Sequence, residues 1–197
     1  MSFLLGLTGS IGMGKSTTAR MFAEEGCALW DADAAVHRLY AKGGAAVGPI
    51  RDVFPEAVID GAVSRDQLKA IIAQDETALA RIEKIVHPLV ARDRADFIHE
   101  STADIVVLDI PLLFETGGDK GMDAVACVTV SPELQRERVL ARGTMSEAQF
   151  ETIRAKQMPN DEKCRRADFV IETDTLEHAG QQVQDVVRKI RDRLKHA

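Results

Sequence analysis

Gly9-Ser10-Ile11-Gly12-Met13-Gly14-Lys15-Ser16 decides the fold. The stretch fits GxxxxGK[ST], the P-loop pattern, and its surroundings are those the motif needs. An apolar run, Phe3 to Leu7, precedes it and stops at Thr8-Gly9. A helical pattern follows from near Gly14 to about Glu25, where Gly26 ends it. Glycines let the backbone wrap closely and aim several N–H groups at one point. The helix start adds partial positive charge there. Lys15 can then reach the β- and γ-phosphates of a nucleotide, and Ser16 can hold Mg2+. Gly9, Ile11, Gly12, Met13, Gly14, Lys15, Ser16 and Thr17 are the candidate nucleotide-binding residues.

Outward from this loop lie four more short apolar runs: Cys27 to Trp30, Ile105 to Leu108, Ala124 to Val130 and Phe169 to Ile171. Helical stretches separate them. The pattern predicts an α/β fold: a P-loop NTPase-type core with a parallel five-stranded sheet flanked by helices. Ser64 with Gln67, and Ser146 with Gln149, fit capping boxes, and Ser131-Pro132 fits a helix start. His87-Pro88 is expected to open a helix running to about His99, and Leu176 to Ala197 reads as one amphipathic helix. The segment between Asp33 and Asp109 is longer than one crossover helix needs. One domain is expected over 1–197. Its core is about 1–33, 100–132 and 167–197, with a helical substrate-binding insertion about 34–99 and a helical lid about 133–166.

Composition narrows the function. Hydrophobic residues make up 45% of the 197, enough for a real core. The net charge of −6 disfavours general nucleic-acid binding, because phosphate backbones reward basic surfaces. Cys27, Cys127 and Cys164 are an odd set with no CxxC spacing, and are expected to be reduced thiols in a cytoplasmic protein. No stretch approaches the roughly 20 apolar residues of a membrane span.

Three carboxylates follow strand ends, where ligands of open parallel sheets gather. They are Asp31, Asp33 and Asp109. A kinase needs one to accept the proton of an attacking hydroxyl, and Asp33 is the choice. Asp33 is equally suited to cap a helix over Ala34 to Tyr40. Asp109 sits where a Walker-B acid would hold Mg2+. Ser131 to Arg166 carries 8 Lys and Arg against 6 Asp and Glu, a local reversal of the chain's sign. That suits a lid over phosphates, with Arg142 at the end of a helix and Gly143 as its hinge or cap. For each of the other arginines a solvated helix face with i,i+4 pairs is the better reading. Asn160 is the only asparagine, so the NKxD guanine motif is absent and ATP is the expected donor.

Several segments together resemble the dephospho-CoA kinase family. They are Gly6-Leu7-Thr8-Gly9 through Lys15-Ser16-Thr17, Asp31-Ala32-Asp33 with His37, His87-Pro88-Leu89-Val90, and Pro111-Leu112-Leu113-Phe114-Glu115. Their order and spacing match over nearly the whole chain. The resemblance implies a transferase that uses ATP to phosphorylate the ribose 3′-hydroxyl of dephospho-CoA, the last step of coenzyme A biosynthesis. It implies Asp33 as the base and Arg142 as the lid arginine, beside Lys15. It implies an acceptor site of Thr8, Asp33, His87, Leu112, Leu113, Phe114 and Glu115. On residue chemistry alone His87 reads better as a cap or a packed side chain than as a site, and Leu112 to Phe114 suit either plain core or, just past a strand end, a substrate wall. Ser10 and Met13 stand where the family more often has Gly and Ser, and Gly143 where it usually has Asp. The small molecules ATP and dephospho-CoA, with Mg2+, are the expected partners of a monomer or small homo-oligomer. A kinase for another small acceptor, or a nucleotide-sensing P-loop protein, are the competing expectations.

Overall fold

The structure is a computed structural model that describes residues 2–196. Met1 and Ala197, the expected limits of the domain and of the last helix, lie outside the described residues. In chain order the elements begin with β1 (Phe3–Thr8), α1 (Lys15–Glu24), β2 (Ala28–Asp31), α2 (Ala32–Tyr40) and α3 (Val47–Val53). Next come β3 (Val58–Ile59), β4 (Ala62–Val63), α4 (Arg65–Gln74), α5 (Ala78–Glu100), β5 (Ile105–Asp109) and β6 (Ala124–Thr129). The chain continues with α6 (Pro132–Ala141), α7 (Glu147–Lys156), α8 (Asn160–Arg166), β7 (Phe169–Glu172) and α9 (Leu176–Lys195). Backbone contacts divide the chain into two compact units: Asp31–Glu100, and the residues on either side of it.

The flanking unit carries a five-stranded sheet in the order β2-β5-β1-β6-β7. β1 runs parallel to β5 and to β6, and β6 parallel to β7. Strands buried on both faces read as continuous apolar runs, which is why Ile105 to Leu108 carries no alternation. On one face Leu5, Leu7, Val107, Ala126 and Ile171 pack with Phe22 of α1 and with Val183 and Ile190 of α9. Val125, whose neighbours Ala124 and Ala126 belong to that face, instead meets Leu113, Phe114, Met158 and Ala167. Gly6 leaves room for this second layer, since a Cβ there would come within 2.7 Å of Leu113.

The 31–100 unit has its own core, centred on Ala46, Ile50, Phe54, Ala57 and Ala78. It holds several helices, as expected, but His87-Pro88 does not open one. α5 runs unbroken from Ala78 to Glu100 with Pro88 inside it. Proline costs the helix a hydrogen bond. Ile82 and Val86 before it, and Leu89 and Val90 after it, pack into one cluster, and this shared burial outweighs the local break. The antiparallel pair β3–β4 was not expected. Asp60 and Gly61 between its strands both take positive φ, the form of a two-residue hairpin turn.

Phe22 is fully buried where α1 meets the main core. Phe22→Ala should cost about 3–5 kcal/mol. The urea midpoint should fall with an unchanged slope, and a midpoint within error of wild type would refute this assignment of the core.

Candidate active site

The loop between β1 and α1 has the form the motif demands. Gly14 is the residue before α1 and takes φ 86°, and Gly12 takes φ 79°. A Cβ on Gly12 would also lie 2.5 Å from Val139, and one on Gly14 2.9 Å from the Thr173 hydroxyl. Both positions therefore need glycine for conformation and for space.

Distant residues hold this loop. The Ser10 N–H donates to the Asn160 side-chain oxygen at 3.0 Å, and the Ile11 N–H to Gln157 at 3.1 Å. The Gln135 amide donates to the Ile11 carbonyl at 2.7 Å, and the Thr173 hydroxyl to the Met13 carbonyl at 2.8 Å. Lys15 reaches across to the carboxylate of Asp109, which is buried at the end of β5. Ser16 follows Lys15 in the first turn of α1 and is exposed.

Two cavities border the loop. One of about 210 Å³ is lined by Gly14, Thr17, Arg138, Arg142, Thr173 and Thr175, among others. Arg138 is held there by neutral oxygens, the Thr173 hydroxyl and the Thr173 and Asp174 carbonyls. Its charge stays available to an anion. Arg142 ends α6, and Gly143 follows it in the left-handed conformation, donating to the Leu140 carbonyl. The structure thus brings Thr17 and Arg142 to one cavity, while Lys15 points to Asp109. The other cavity, about 350 Å³, lies against Ser10 and Met13. Its one arginine, Arg154, is paired with Glu151. The smaller cavity is the one that offers arginines, Arg138 and Arg142, without a carboxylate in its lining.

Arg138 and the Thr173–Leu176 turn escaped the sequence reading. Thr175 caps α9 by accepting from the His178 N–H, and that Thr-x-x-His spacing was the available signal. Arg138 looked like any arginine on a solvated helix.

The acceptor candidates fall into groups. Thr8 is fully buried, and its hydroxyl donates to the Pro111 carbonyl at 3.1 Å. Leu113 and Phe114 are core residues, whereas Leu112 is 42% exposed. Glu115 accepts from the Met158 N–H at 3.0 Å and pairs at 2.9 Å with Lys163, which is fully buried. Lys163 also donates to the Pro111 carbonyl at 2.9 Å. The loop after β5 is thereby pinned to the start of α8, a link that no spacing in the sequence announces.

In the 31–100 unit, the expected cap is made by a different residue. α2 starts at Ala32, earlier than expected, and Asp31 accepts from the Ala34 N–H at 2.8 Å. Asp31 has the extended backbone that a cap requires, and Asp33 is already helical. Asp33 is exposed in that first turn, without the capping duty. His87 is exposed on α5 and His37 on α2, so His87 is neither a cap nor packed in the core.

Comparison with known proteins gives a consistent set of likenesses. The family model described as dephospho-CoA kinase matches residues 3–178. A dephospho-CoA kinase of Ruegeria pomeroyi is 72% identical over 197 residues, covering 100% of both chains. One from Cereibacter sphaeroides is 60% identical over 190 residues, covering 96% of each. A crystal structure of a Thermus thermophilus protein superposes with a TM-score of 0.84 at 31% identity, covering 95% of this chain and 97% of that one.

Burial pushes the Glu115 carboxyl up, but hydrogen bonds from Lys163 and the Met158 N–H hold it below its ordinary 4.5. A carboxyl depressed in the fold adds stability above its unfolded value, and that stability is lost as pH falls through the folded value. Glu115→Gln should therefore lower the urea midpoint more at about pH 7 than at about pH 3.5. An equal loss at both would show that charge has no part in this contact.

Proposed function

The chain belongs to the dephospho-CoA kinase family, and from that premise we propose how its own residues carry out the reaction. The reaction is phosphorylation of the ribose 3′-hydroxyl of dephospho-CoA by ATP, which yields coenzyme A and ends its biosynthesis. The family match across residues 3–178 is the observation that carries it.

ATP docks with its phosphates at the loop Gly9 to Thr17. Lys15 and the backbone N–H groups at the start of α1 take the β- and γ-phosphates. Lys15 exchanges part of its contact with Asp109 for phosphate oxygens. Arg138 and Arg142 stand at the cavity beside Gly14 and Thr17, where they can balance charge on the nucleotide. Mg2+ prefers few carboxylates, oxygen donors and substrate phosphates. Among the described residues there is no cluster of three or more His, Cys, Asp or Glu that could hold a metal. The Ser16 hydroxyl and the Asp109 carboxylate fit the sparser demand and would hold the ion with the phosphates. Bound there, it would neutralise phosphate charge.

Asp33 accepts the proton of the attacking ribose hydroxyl. Its exposed carboxylate lies two residues beyond the end of β2, and the cap at Asp31 leaves it uncommitted. His87 and Leu112, both exposed, contact the acceptor, and the buried Leu113 and Phe114 set the course of that loop. Thr8 and Glu115 serve the acceptor site by fixing the loop from Pro111 to Glu115. Residues 133–166 form a lid that closes to exclude water, which would otherwise accept the phosphoryl group. Three free thiols fit a reducing compartment such as the cytoplasm. Among the described residues no helix is long and apolar enough to cross a membrane.

The protein is incubated with Mg·ATP and, separately, dephospho-CoA, adenosine and AMP, and products are identified by mass. Phosphorylation of dephospho-CoA alone, at the 3′ position, is expected. Transfer to adenosine or AMP instead would overturn the acceptor. Asp33→Asn should keep ATP affinity and lose roughly 10²–10⁴ in kcat. Arg142→Ala should lose roughly 10²–10³ in kcat. Unchanged kcat in either variant would remove that residue from the mechanism.

A further inference from the structure

Cys127 and Cys164 lie 37 residues apart in sequence, yet their sulfurs are 3.5 Å apart. Cys127 is fully buried in β6, and Cys164 is half-buried on α8. A disulfide needs about 2.05 Å between sulfurs, so a small approach of α8 to β6 would join them. Both sulfurs also border Asn160. Its amide nitrogen lies 3.7 Å from the Cys164 sulfur, and its oxygen 4.0 Å from that of Cys127. The same oxygen holds the Ser10 N–H, and the amide nitrogen donates to the Val128 carbonyl at 3.2 Å. Asn160 and Cys164 stand one helical turn apart on α8, so a pull on one displaces the other.

We propose that Cys127 and Cys164 are an oxidisable dithiol whose disulfide loosens the phosphate loop through Asn160. The three cysteines differ in the way this requires. Hydrogen bonds to its sulfur from Cys127 and Thr129 bring Cys164 down to about 7, against burial and Asp161. The shared hydrogen bond with Cys164, and then burial, push Cys127 up. Cys27 is pushed up to about 11 by burial, and its charged neighbours are Arg191, Asp104 and Glu25 rather than a second thiol. Solvent reaches Cys164, which is half-buried, and its neighbours Asn160 and Thr129 line the cavity of about 350 Å³, while Cys127 lies behind it, fully buried.

The oxidant is a small aliphatic disulfide. The Cys164 thiolate attacks one of its sulfurs, that S–S bond breaks, and one small thiolate leaves with the electron pair and takes up a proton. Cys127 then releases its proton and attacks the Cys164 sulfur, expelling the second small thiolate. Two protein thiols are oxidised to one disulfide, and one small disulfide is reduced to two thiols.

The test treats the protein with bis(2-hydroxyethyl) disulfide and follows intact mass and linked peptides. The expected product has lost two hydrogens and yields a Cys127–Cys164 peptide. Its kcat/KM for ATP should fall roughly 10- to 100-fold, as for a displacement near 1 Å at a site, and a dithiol should restore it. Cys27→Ser should respond as wild type does. Cys164→Ser should start with wild-type activity and be insensitive to the reagent. A stable mixed disulfide at Cys164, oxidation at Cys27, or a Cys127–Cys164 bond that leaves kcat/KM unchanged would each overturn the proposal. The mass measurement needs no turnover, so it stands apart from any failure of the acceptor assignment.

Discussion

Every backbone N–H and C=O in a tight loop needs a partner, and this requirement organises the sheet-bearing unit. The phosphate loop cannot satisfy all of its own groups and still present others to a nucleotide. Gln135, Gln157, Asn160 and Thr173 supply the missing partners. They come from α6, from the turn after α7, from the start of α8 and from the residue just past β7. The segment that follows β6 is thus a support of the loop. This is a reason for so many polar residues to converge where a core would otherwise be apolar.

Much of this architecture was legible because its signals are local. Apolar runs gave the five strands to within a residue or two, and Gly14 and Gly26 bracketed α1. Ser146 with Gln149 makes the full reciprocal cap, and Ser64 and Ser131 accept from the expected N–H groups. What stayed hidden depends on tertiary contact. Pro88 reads as a helix boundary until the burial of Ile82, Val86 and Leu89 along α5 is known. Asp31 and Asp33 are interchangeable as caps until the backbone shows which of them is extended. Asp60-Gly61 was a fair hairpin signal, but two-residue strands are too short to register as a pattern.

The site was legible in the same uneven way. Thr17 and Arg142 line one cavity, and Lys15 meets Asp109 at the end of β5. Arg138 was lost among similar residues, since only the Thr173 and Asp174 oxygens distinguish it. Glu115 looked like a ligand contact, and nothing in the sequence indicates that Lys163 is buried against it. A lysine without exposure is rare, and it persists here because a carboxylate and a carbonyl both face it.

That buried pair bears on how such chains can be recombined. Lys163 is contributed by α8, and Glu115 and Pro111 by the stretch after β5, with β6 between them. A chimera whose crossover falls between these segments, joining parents that differ at either position, strands an ammonium or a carboxylate in the interior. Shuffled libraries built from distant relatives should therefore keep residues 111–163 as one inherited block.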